Sequence, residues 1–316
     1  MFLLALAAAA AQPQPGALKT FGDWEVGCDN VLNCSMRSLR KRGPEAPDIS
    51  LTISRSNGRR APAMFLAVRD NGEYVAEFAV MVDGVPYRRD ALTDEEHRAV
   101  LNLSGARSLS VVGDRPISLK GVVEAMRHMD RIQNRSDTVT ALVEIGEKGP
   151  LTIVIARQPS EVSIKDVADE MSQVSPTIVA GMRRFAKCER GYEPIQAETF
   201  SDDATLVLIP CGADPANRWT AAFTLRQNRW TPALIEQPST PVWPMIASVT
   251  RLANPRWYKG HLSVRFNRSA SDDCGVRQDL FWDGTSLRLT HQEELGVCQG
   301  RADFITTWQA YQRVRN

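Results

Sequence analysis

Six cysteines restrict the fold of this chain more than any other feature, because each bond between two of them would hold two backbone segments side by side. They occur as three pairs of near neighbours in the sequence: Cys28 and Cys34, Cys188 and Cys211, and Cys274 and Cys298. Zinc is the alternative, but structural zinc sites use closely spaced cysteines or nearby histidines, and no histidine lies within four residues of a cysteine. We therefore expect the disulfides Cys28–Cys34, Cys188–Cys211 and Cys274–Cys298 and no metal site, although other connectivities stay open.

An apolar run at the start of the chain bears on the compartment where such bonds would form. Residues 2–11 read FLLALAAAAA, and the run stops at Gln12. A membrane-spanning helix needs about 20 apolar residues, so this run suits a secretory signal better than an anchor. The basic residues that usually precede a signal are missing, and an alanine-rich tail is the alternative. We expect residues 1–17 to be a signal peptide and leader, cleaved near Ala11, and the protein to be periplasmic.

Residues 18–157 are predicted to form an N-terminal α+β domain. Strand-like runs separated by turn signals come first, at Trp24–Cys28, Cys34–Leu39, Ile49–Ser54, Met64–Val68 and Val75–Val82. Two helices follow, one with Thr93 as its N-cap and a longer one from Leu119 to about Asn134, capped by Ser118. Val139–Ile145 and Leu151–Ala156 are predicted to be closing strands. This order is typical of an antiparallel sandwich or partial barrel with a helix packed on it.

The rest of the chain is predicted to hold a connector and a second domain. Residues 158–187 have a helical composition that Pro176 interrupts, which predicts a helical connector of two short helices. Residues 188–316 contain seven short strand-like runs and a hairpin turn at Asp283-Gly284. We expect a C-terminal β-rich domain of antiparallel strands. The predicted fold class is therefore α+β, with two β-rich domains joined by a helical connector.

Short motifs along the chain carry a resemblance to a known family. They are FGDW-x-V-x-C-D-N at 21–30, SLKG at 118–121, LIPCG at 208–212 and WDG at 282–284. Together they resemble an uncharacterised proteobacterial periplasmic family of unknown function, over nearly the whole chain. The FGDW-x3-C opening is also similar to that of invasion-associated locus B proteins. The resemblance implies a secreted, disulfide-bonded envelope protein, and it supplies no catalytic residues.

The sequence offers little material for catalysis. The nucleophile-elbow, zinc-protease, P-loop and dinucleotide-binding signatures are all missing. The four histidines fit ordinary positions on helix surfaces and strand edges, and the adjacent carboxylate pairs fit turns. We therefore predict no catalytic residue, no cofactor and no enzyme activity.

Two groups of residues are candidates for ligand binding. Arg37, Arg40, Arg59 and Arg60 give a local basic bias that suits phosphate or carboxylate groups. Trp257 and Trp282 belong to a tryptophan-rich C-terminal region, and exposed indoles could stack on sugar rings. The simpler interpretations are solvated hairpin loops for the arginines and a filled sheet core for the tryptophans.

Composition limits the choice of partner. Lys plus Arg is 38 and Asp plus Glu is 37, a formal charge of +1, so no overall positive field would gather nucleic acid. No later apolar run reaches membrane length, so an integral membrane protein is not expected. The predicted function is a non-enzymatic periplasmic binding or interaction protein whose partner is an envelope glycan, an anionic ligand or an envelope protein. The alternative is a cell-envelope hydrolase or transferase whose active site matches no motif.

Overall fold

The structure is a computed structural model that describes most of the chain. The described residues are 12–39, 49–58, 64–88, 95–111, 115–149, 158–165, 167, 170–188, 194–201, 203–240, 242, 245–246, 249–271, 274–298 and 303–315. They form mostly antiparallel sheets with three α-helices among these residues, which confirms the predicted β-rich α+β class.

The N-terminal part contains two antiparallel sheets. The first is a six-stranded meander of β1 (Lys19–Phe21), β2 (Trp24–Cys28), β3 (Cys34–Ser38), β4 (Ile49–Arg55), β5 (Met64–Asp70) and β6 (Glu73–Tyr74). The second has the order β10-β9-β7-β8 and consists of β7 (Ala79–Val82), β8 (Val85–Arg88), β9 (Leu109–Val111) and β10 (Arg115–Pro116). The two sheets share one hydrophobic core, to which the first contributes Trp24 and the second contributes Val80.

Two helices complete this part. Helix α1 (Glu95–Asn102) continues as a 3-10 turn at Leu103–Gly105, and α2 (Val122–Ile132) buries Met126 and Met129 in the core shared by the sheets. The predicted helix across the sheets is therefore confirmed, and it begins at Val122 rather than Leu119.

The C-terminal part is built from two larger antiparallel sheets. One contains β12 (Gln196–Ser201), β13 (Ala204–Ala213), β14 (Arg218–Arg226), β15 (Arg229–Pro232), β16 (Met245–Ile246) and β17 (Val249–Ala253). The other contains β18 (Arg256–Tyr258), β19 (His261–Asn267), β20 (Gly275–Trp282), β21 (Leu287–Leu295) and β22 (Ile305–Gln309), paired in chain order.

Strand β13 is buried on both faces, which explains why its sequence is a continuous apolar run. Leu206 and Leu208 lie in the core between the two sheets, whereas Val207 and Ile209 pack with Met182 of helix α3 (Pro176–Phe185). Successive side chains of a strand point to opposite faces, so one run of apolar residues serves two layers. The C-terminal part is thus a helix and two sheets stacked in three layers.

The predicted connector differs from the structure. Residues 161–165 form a strand, β11 (Glu161–Lys165), that pairs in parallel with β23 (Tyr311–Arg315). The pairing with β23 makes this segment a strand, and the alternation of Val162, which is buried, and Ile164 is compatible with it. Pro176 does not interrupt a helix but starts α3, where its missing N–H costs no hydrogen bond. The division into separate domains stays a prediction.

Two further local predictions need correction. Residues 139–145 are turns and bends rather than a strand, because the Asp130 carboxylate accepts the backbone N–H groups of Leu142 and Val143 in place of a neighbouring strand. Ser118 does not cap α2, whose N-cap is Gly121, and its hydroxyl donates to Asp23 instead. The predicted strand Leu151–Ala156 and the cap Thr93 lie outside the described residues.

The predicted disulfides Cys28–Cys34, Cys188–Cys211 and Cys274–Cys298 are all present, so none of the six cysteines is free. The first closes the β2–β3 hairpin, the second joins the residues after α3 to β13, and the third joins the two ends of the β20–β21 hairpin. Each bond therefore links elements that are already neighbours.

The FGDW and SLKG motifs bind each other. Trp24 is buried, and its indole N–H donates to the backbone oxygen of Ser118 at 2.8 Å. The backbone N–H of Asp23 donates to Lys120 O at 2.8 Å. Gly121 has φ +88°, and a Cβ there would overlap the Phe21 carbonyl. These contacts give both motifs a role in joining the first hairpin to α2.

The two parts contact each other closely along β22. Asn30 and Gln309 exchange two hydrogen bonds, of 2.9 and 2.7 Å, and Thr52 donates to Asp303 at 3.0 Å. The segment after the expected cleavage point belongs to the fold, because Gly16 N donates to Thr307 O at 2.9 Å. Residues 1–11 lie outside the described residues. Among the helices of the described ranges, none is long and apolar enough to cross a membrane.

Candidate ligand-binding cleft

A cleft of about 820 Å³ opens beside the turns of two adjacent hairpins in the C-terminal part. One hairpin joins β12 to β13, and the other joins β14 to β15 through Gln227 and Asn228. Both turn residues have positive φ, of 46° and 65°, as the tight two-residue turn between right-twisted strands requires. This turn places two adjacent amide residues in the lining of the cleft.

A chain of hydroxyl groups runs along one wall. Ser172 lies 3.1 Å from Thr199, oxygen to oxygen, and Thr205 donates to the Ser172 hydroxyl at 3.3 Å. The wall is fixed by the backbone, because Ser172 N donates to Ala197 O and Thr199 N donates to Glu170 O. Residues 170–172 therefore run along the edge of β12, and the three hydroxyls are held at a constant spacing.

Asp203 fastens the two hairpins together at the mouth of the cleft. Its carboxylate accepts the Ser201 hydroxyl at 2.7 Å and an Arg226 guanidinium N–H at 2.6 Å. The hydrogen bond from Ser201, followed by that from Arg226, lowers the pKa of Asp203 below its ordinary value. Asp203 is therefore an ionised hydrogen-bond acceptor rather than a proton donor at neutral pH.

The two tryptophans proposed for stacking lie behind the cleft rather than on a surface. Phe200 lines the cleft but is only 2% exposed. Its ring stacks on Trp282 with centroids 4.0 Å apart and meets Trp257 edge to face at 5.0 Å. Both indoles are buried in the core between the sheets. Trp257 and Trp282 hence support the floor of the cleft from below and cannot contact a ligand directly.

The lining favours a neutral ligand over an anionic one. Among the described lining residues the charged side chains are Lys165, Glu170 and Asp203, a formal sum of −1. The remaining polar side chains are hydroxyls and amides, which both donate and accept hydrogen bonds. A polyhydroxylated ligand matches these groups, whereas a phosphate or carboxylate would find Lys165 as the single cationic side chain of the described lining.

Arg37 is the one arginine proposed for anion binding that lies within the described residues, and it does not line this cleft. Arg37 is 1% exposed, and its guanidinium donates to Glu25 through Nε at 3.0 Å and Nη2 at 2.8 Å. The same group donates to the backbone oxygen of Val297 at 3.2 Å. Arg37 is thus part of a buried ion pair in the fold rather than a surface anion receptor. Arg40, Arg59 and Arg60 lie outside the described residues.

A second polar group lies on the outer face of the five-stranded sheet. Asp279 is 2.8 Å from His261 Nε2 and 3.7 Å from His291 Nδ1. Interaction with Asp279, opposed by burial, raises the pKa of His291 above its ordinary value. All three side chains are half-buried, and they are absent from the lining of the cleft. Within the described chain, no group of three or more His, Cys, Asp or Glu side chains could hold a metal ion.

Sequence reasoning missed the residues of the cleft. Ser172 stands 27 residues before Thr199, and neither it nor Thr199 and Thr205 belong to a motif, so composition gives no reason to group the three. The two adjacent hairpin turns were the available signal, since loops at the end of a sheet often carry binding residues.

A family model and one curated protein are similar to this chain, and the description of neither states a function. The family model described as "Protein of unknown function (DUF1176)" matches residues 18–315. The chain is 22% identical over 329 residues to "Uncharacterized protein YpfG" of Escherichia coli (strain K12), covering 89% of each chain. No solved structure matches the chain.

Proposed function

We propose that this chain, which belongs to the DUF1176 family of proteins of unknown function, is a secreted, non-enzymatic binding protein of the bacterial envelope. Its ligand is a neutral glycan segment held in the cleft. The single observation that carries the proposal is the lining of that cleft, where hydroxyl and amide side chains outnumber charges in a space of about 820 Å³. Clefts of this volume enclose ligands the size of a few sugar rings.

The periplasmic location is part of the same proposal. Three disulfides favour an oxidising compartment. The apolar run of residues 2–11 has the length of a signal, and the chain is packed into the fold soon after it, at Gly16. Cleavage near Ala11 would therefore leave the packed residues intact. The similarity of residues 21–28 to the opening of invasion-associated locus B proteins adds to this proposal and rests on that segment alone.

Titration calorimetry with a chito-oligosaccharide of four sugars tests the glycan proposal. Exchanging Thr205→Val removes one hydroxyl of the wall at nearly constant volume. One hydrogen bond contributes about 1 kcal/mol, so we expect the dissociation constant to rise about fivefold. Thr231→Val is the matched control, because Thr231 is exposed on β15 and does not line the cleft. Absence of binding to both this sugar and purified peptidoglycan, or an equal loss in the two variants, would overturn the proposal.

A hydrolase or transferase is the second candidate, and the contact between His261 and Asp279 is the observation that favours it. A carboxylate within hydrogen-bond distance of an imidazole is the arrangement that orients a general base. Product release from peptidoglycan by the native protein and its loss in His261→Gln would support this candidate. Equal, background-level release by both proteins would exclude catalysis by this pair.

A further inference from the structure

Two buried arginines lie close to each other in the N-terminal part, and neither lines the cleft. Arg55 ends β4 and is 1% exposed, and Arg135 follows α2 and is 0% exposed. Both contact Asp130: Arg55 Nη1 donates to its carboxylate Oδ1 at 2.8 Å, and the backbone N–H of Arg135 donates to its backbone oxygen at 2.7 Å. These three residues are called the arginine cluster below.

The carboxylate of Asp130 accepts three hydrogen bonds, and none of them comes from the guanidinium of Arg135. Its Oδ2 accepts the backbone N–H groups of Leu142 at 2.9 Å and Val143 at 3.2 Å. Arg135 instead donates to neutral oxygens, those of the Thr140 hydroxyl and the Gly58 backbone. One carboxylate thus faces two guanidinium groups.

Several donors of the cluster are buried without a partner among the described residues. They are Nε and Nη2 of Arg55 and Nε of Arg135. In folded proteins the large majority of buried polar atoms are hydrogen-bonded, and an exception points to a bound water or ion. Three unused donors on two cations indicate an occupant that accepts hydrogen bonds.

The charge balance distinguishes between a water and an ion. Two guanidinium groups and one carboxylate leave one positive charge in a site closed to solvent. The C-terminal end of α2 lies next to Arg135 and offers the equivalent of about half a negative charge, which does not neutralise a full cation. Burial, reinforced by Arg55, lowers the pKa of Arg135 to about 10, so this group is still protonated at neutral pH.

We propose that the arginine cluster binds one small monovalent inorganic anion of the halide class. One negative charge restores neutrality, and a halide accepts N–H groups from several directions. The enclosed position excludes larger anions such as a sugar phosphate. A cavity of about 400 Å³ lined by Asp130 and Ser136 lies next to the cluster, and neither Arg55 nor Arg135 is part of its lining.

Another buried arginine provides a comparison, because it stands at a helix end without a second guanidinium beside it. Among the described residues Arg251 pairs with no carboxylate, and its Nη2 donates at 2.5 Å to the oxygen of Ala186, the C-cap of α3. Arg251 is therefore a single cation at a helix C-terminus, without a second guanidinium beside it. This makes Arg251→Met a matched control for Arg135→Met.

Bromide is the probe for the test, because its anomalous scattering identifies it in a crystal. We expect an anomalous peak within about 3.5 Å of the Arg55 or Arg135 nitrogens in crystals of the native protein soaked in sodium bromide. In solution, the Tm should rise with bromide concentration and stay constant with sodium gluconate at equal ionic strength. The bromide response should be lost in Arg135→Met and kept in Arg251→Met.

Three results would overturn the proposal. One is density for water in place of bromide at the cluster, with bromide peaks confined to the surface. The second is an equal Tm response to bromide and gluconate, which would indicate general screening. The third is a bromide response that survives in Arg135→Met. If this variant does not fold, the anomalous map of the native protein decides alone.

Discussion

The buried ion pair between Glu25 and Arg37 allows a quantitative test of what holds the first sheet to the C-terminal part. The two residues lie directly opposite each other on β2 and β3, and each is 1% exposed. Two hydrogen bonds join them, and a third runs from Arg37 to Val297 O across to the C-terminal part. Replacing one residue of the pair leaves the charge of the other buried and unpaired. Replacing both removes both charges of the pair.

The expected magnitudes follow from that asymmetry. Breaking a buried pair on one side costs about 3–5 kcal/mol, so Arg37→Met should lower the free energy of unfolding by about 4 kcal/mol. Glu25→Leu should cost about as much, because it leaves the guanidinium unpaired. The double variant Glu25→Leu/Arg37→Met should cost about 1–2 kcal/mol, mainly through the lost bond to Val297 and imperfect packing.

Urea unfolding followed by tryptophan fluorescence and by far-ultraviolet circular dichroism measures all four proteins. Coincident transitions from the two probes would establish that the free energies are comparable. The coupling energy of the cycle should be favourable and about 6–7 kcal/mol. Additive losses, with the double variant as unstable as the sum of the single ones, would refute the reasoning and show that the pair is solvated.

Three further outcomes are expected. Gly121→Ala should prevent accumulation of folded protein, because a Cβ at φ +88° overlaps the Phe21 carbonyl. Gly84→Ala is the control, since nothing lies within 4 Å of a Cβ there. Equal secreted yield and equal Tm for the two variants would contradict this expectation. The raised pKa of His291 contributes stability that is present below about pH 6.5, the unfolded value, and is lost as the pH rises through the higher folded value. His291→Gln should therefore remove a fall in Tm over this range, and an unchanged profile would exclude the contribution. Replacing Cys274 and Cys298 by serine opens a loop with a sequence separation of 24, which should cost about 3.5 kcal/mol in urea unfolding; a loss below about 1 kcal/mol would show that the bond adds little to an already fixed hairpin.

The sequence was informative where the pattern is local. Paired cysteines, turn signals and alternating residues predicted the three disulfides, most of the strands and α2. It failed where a distant partner decides the local structure. Residues 161–165 become a strand because β23 lies beside them, some 150 residues later in the chain, and 139–145 lose strand geometry to the Asp130 carboxylate.

The residues of the candidate site could not be predicted from the sequence for a related reason. Trp282 and Arg37 have the chemistry of binding residues, but their exposure depends on which sheet covers them. The hydroxyl wall of the cleft brings together Ser172 and Thr205 from different elements, at a spacing set by β-sheet register. Neither burial nor register between distant segments can be obtained from a single pattern along the chain.

The paired hydrogen bonds between Asn30 and Gln309 join residues 279 positions apart. A ribosome delivers the first of them long before the second, and export through a narrow pore would impose the same order. The surface of the N-terminal strands that contacts β22 therefore stays exposed until β22 has been synthesised. This exposure slows folding and favours contact with other chains. A holding chaperone that shields this surface during synthesis would act on the step most exposed to aggregation.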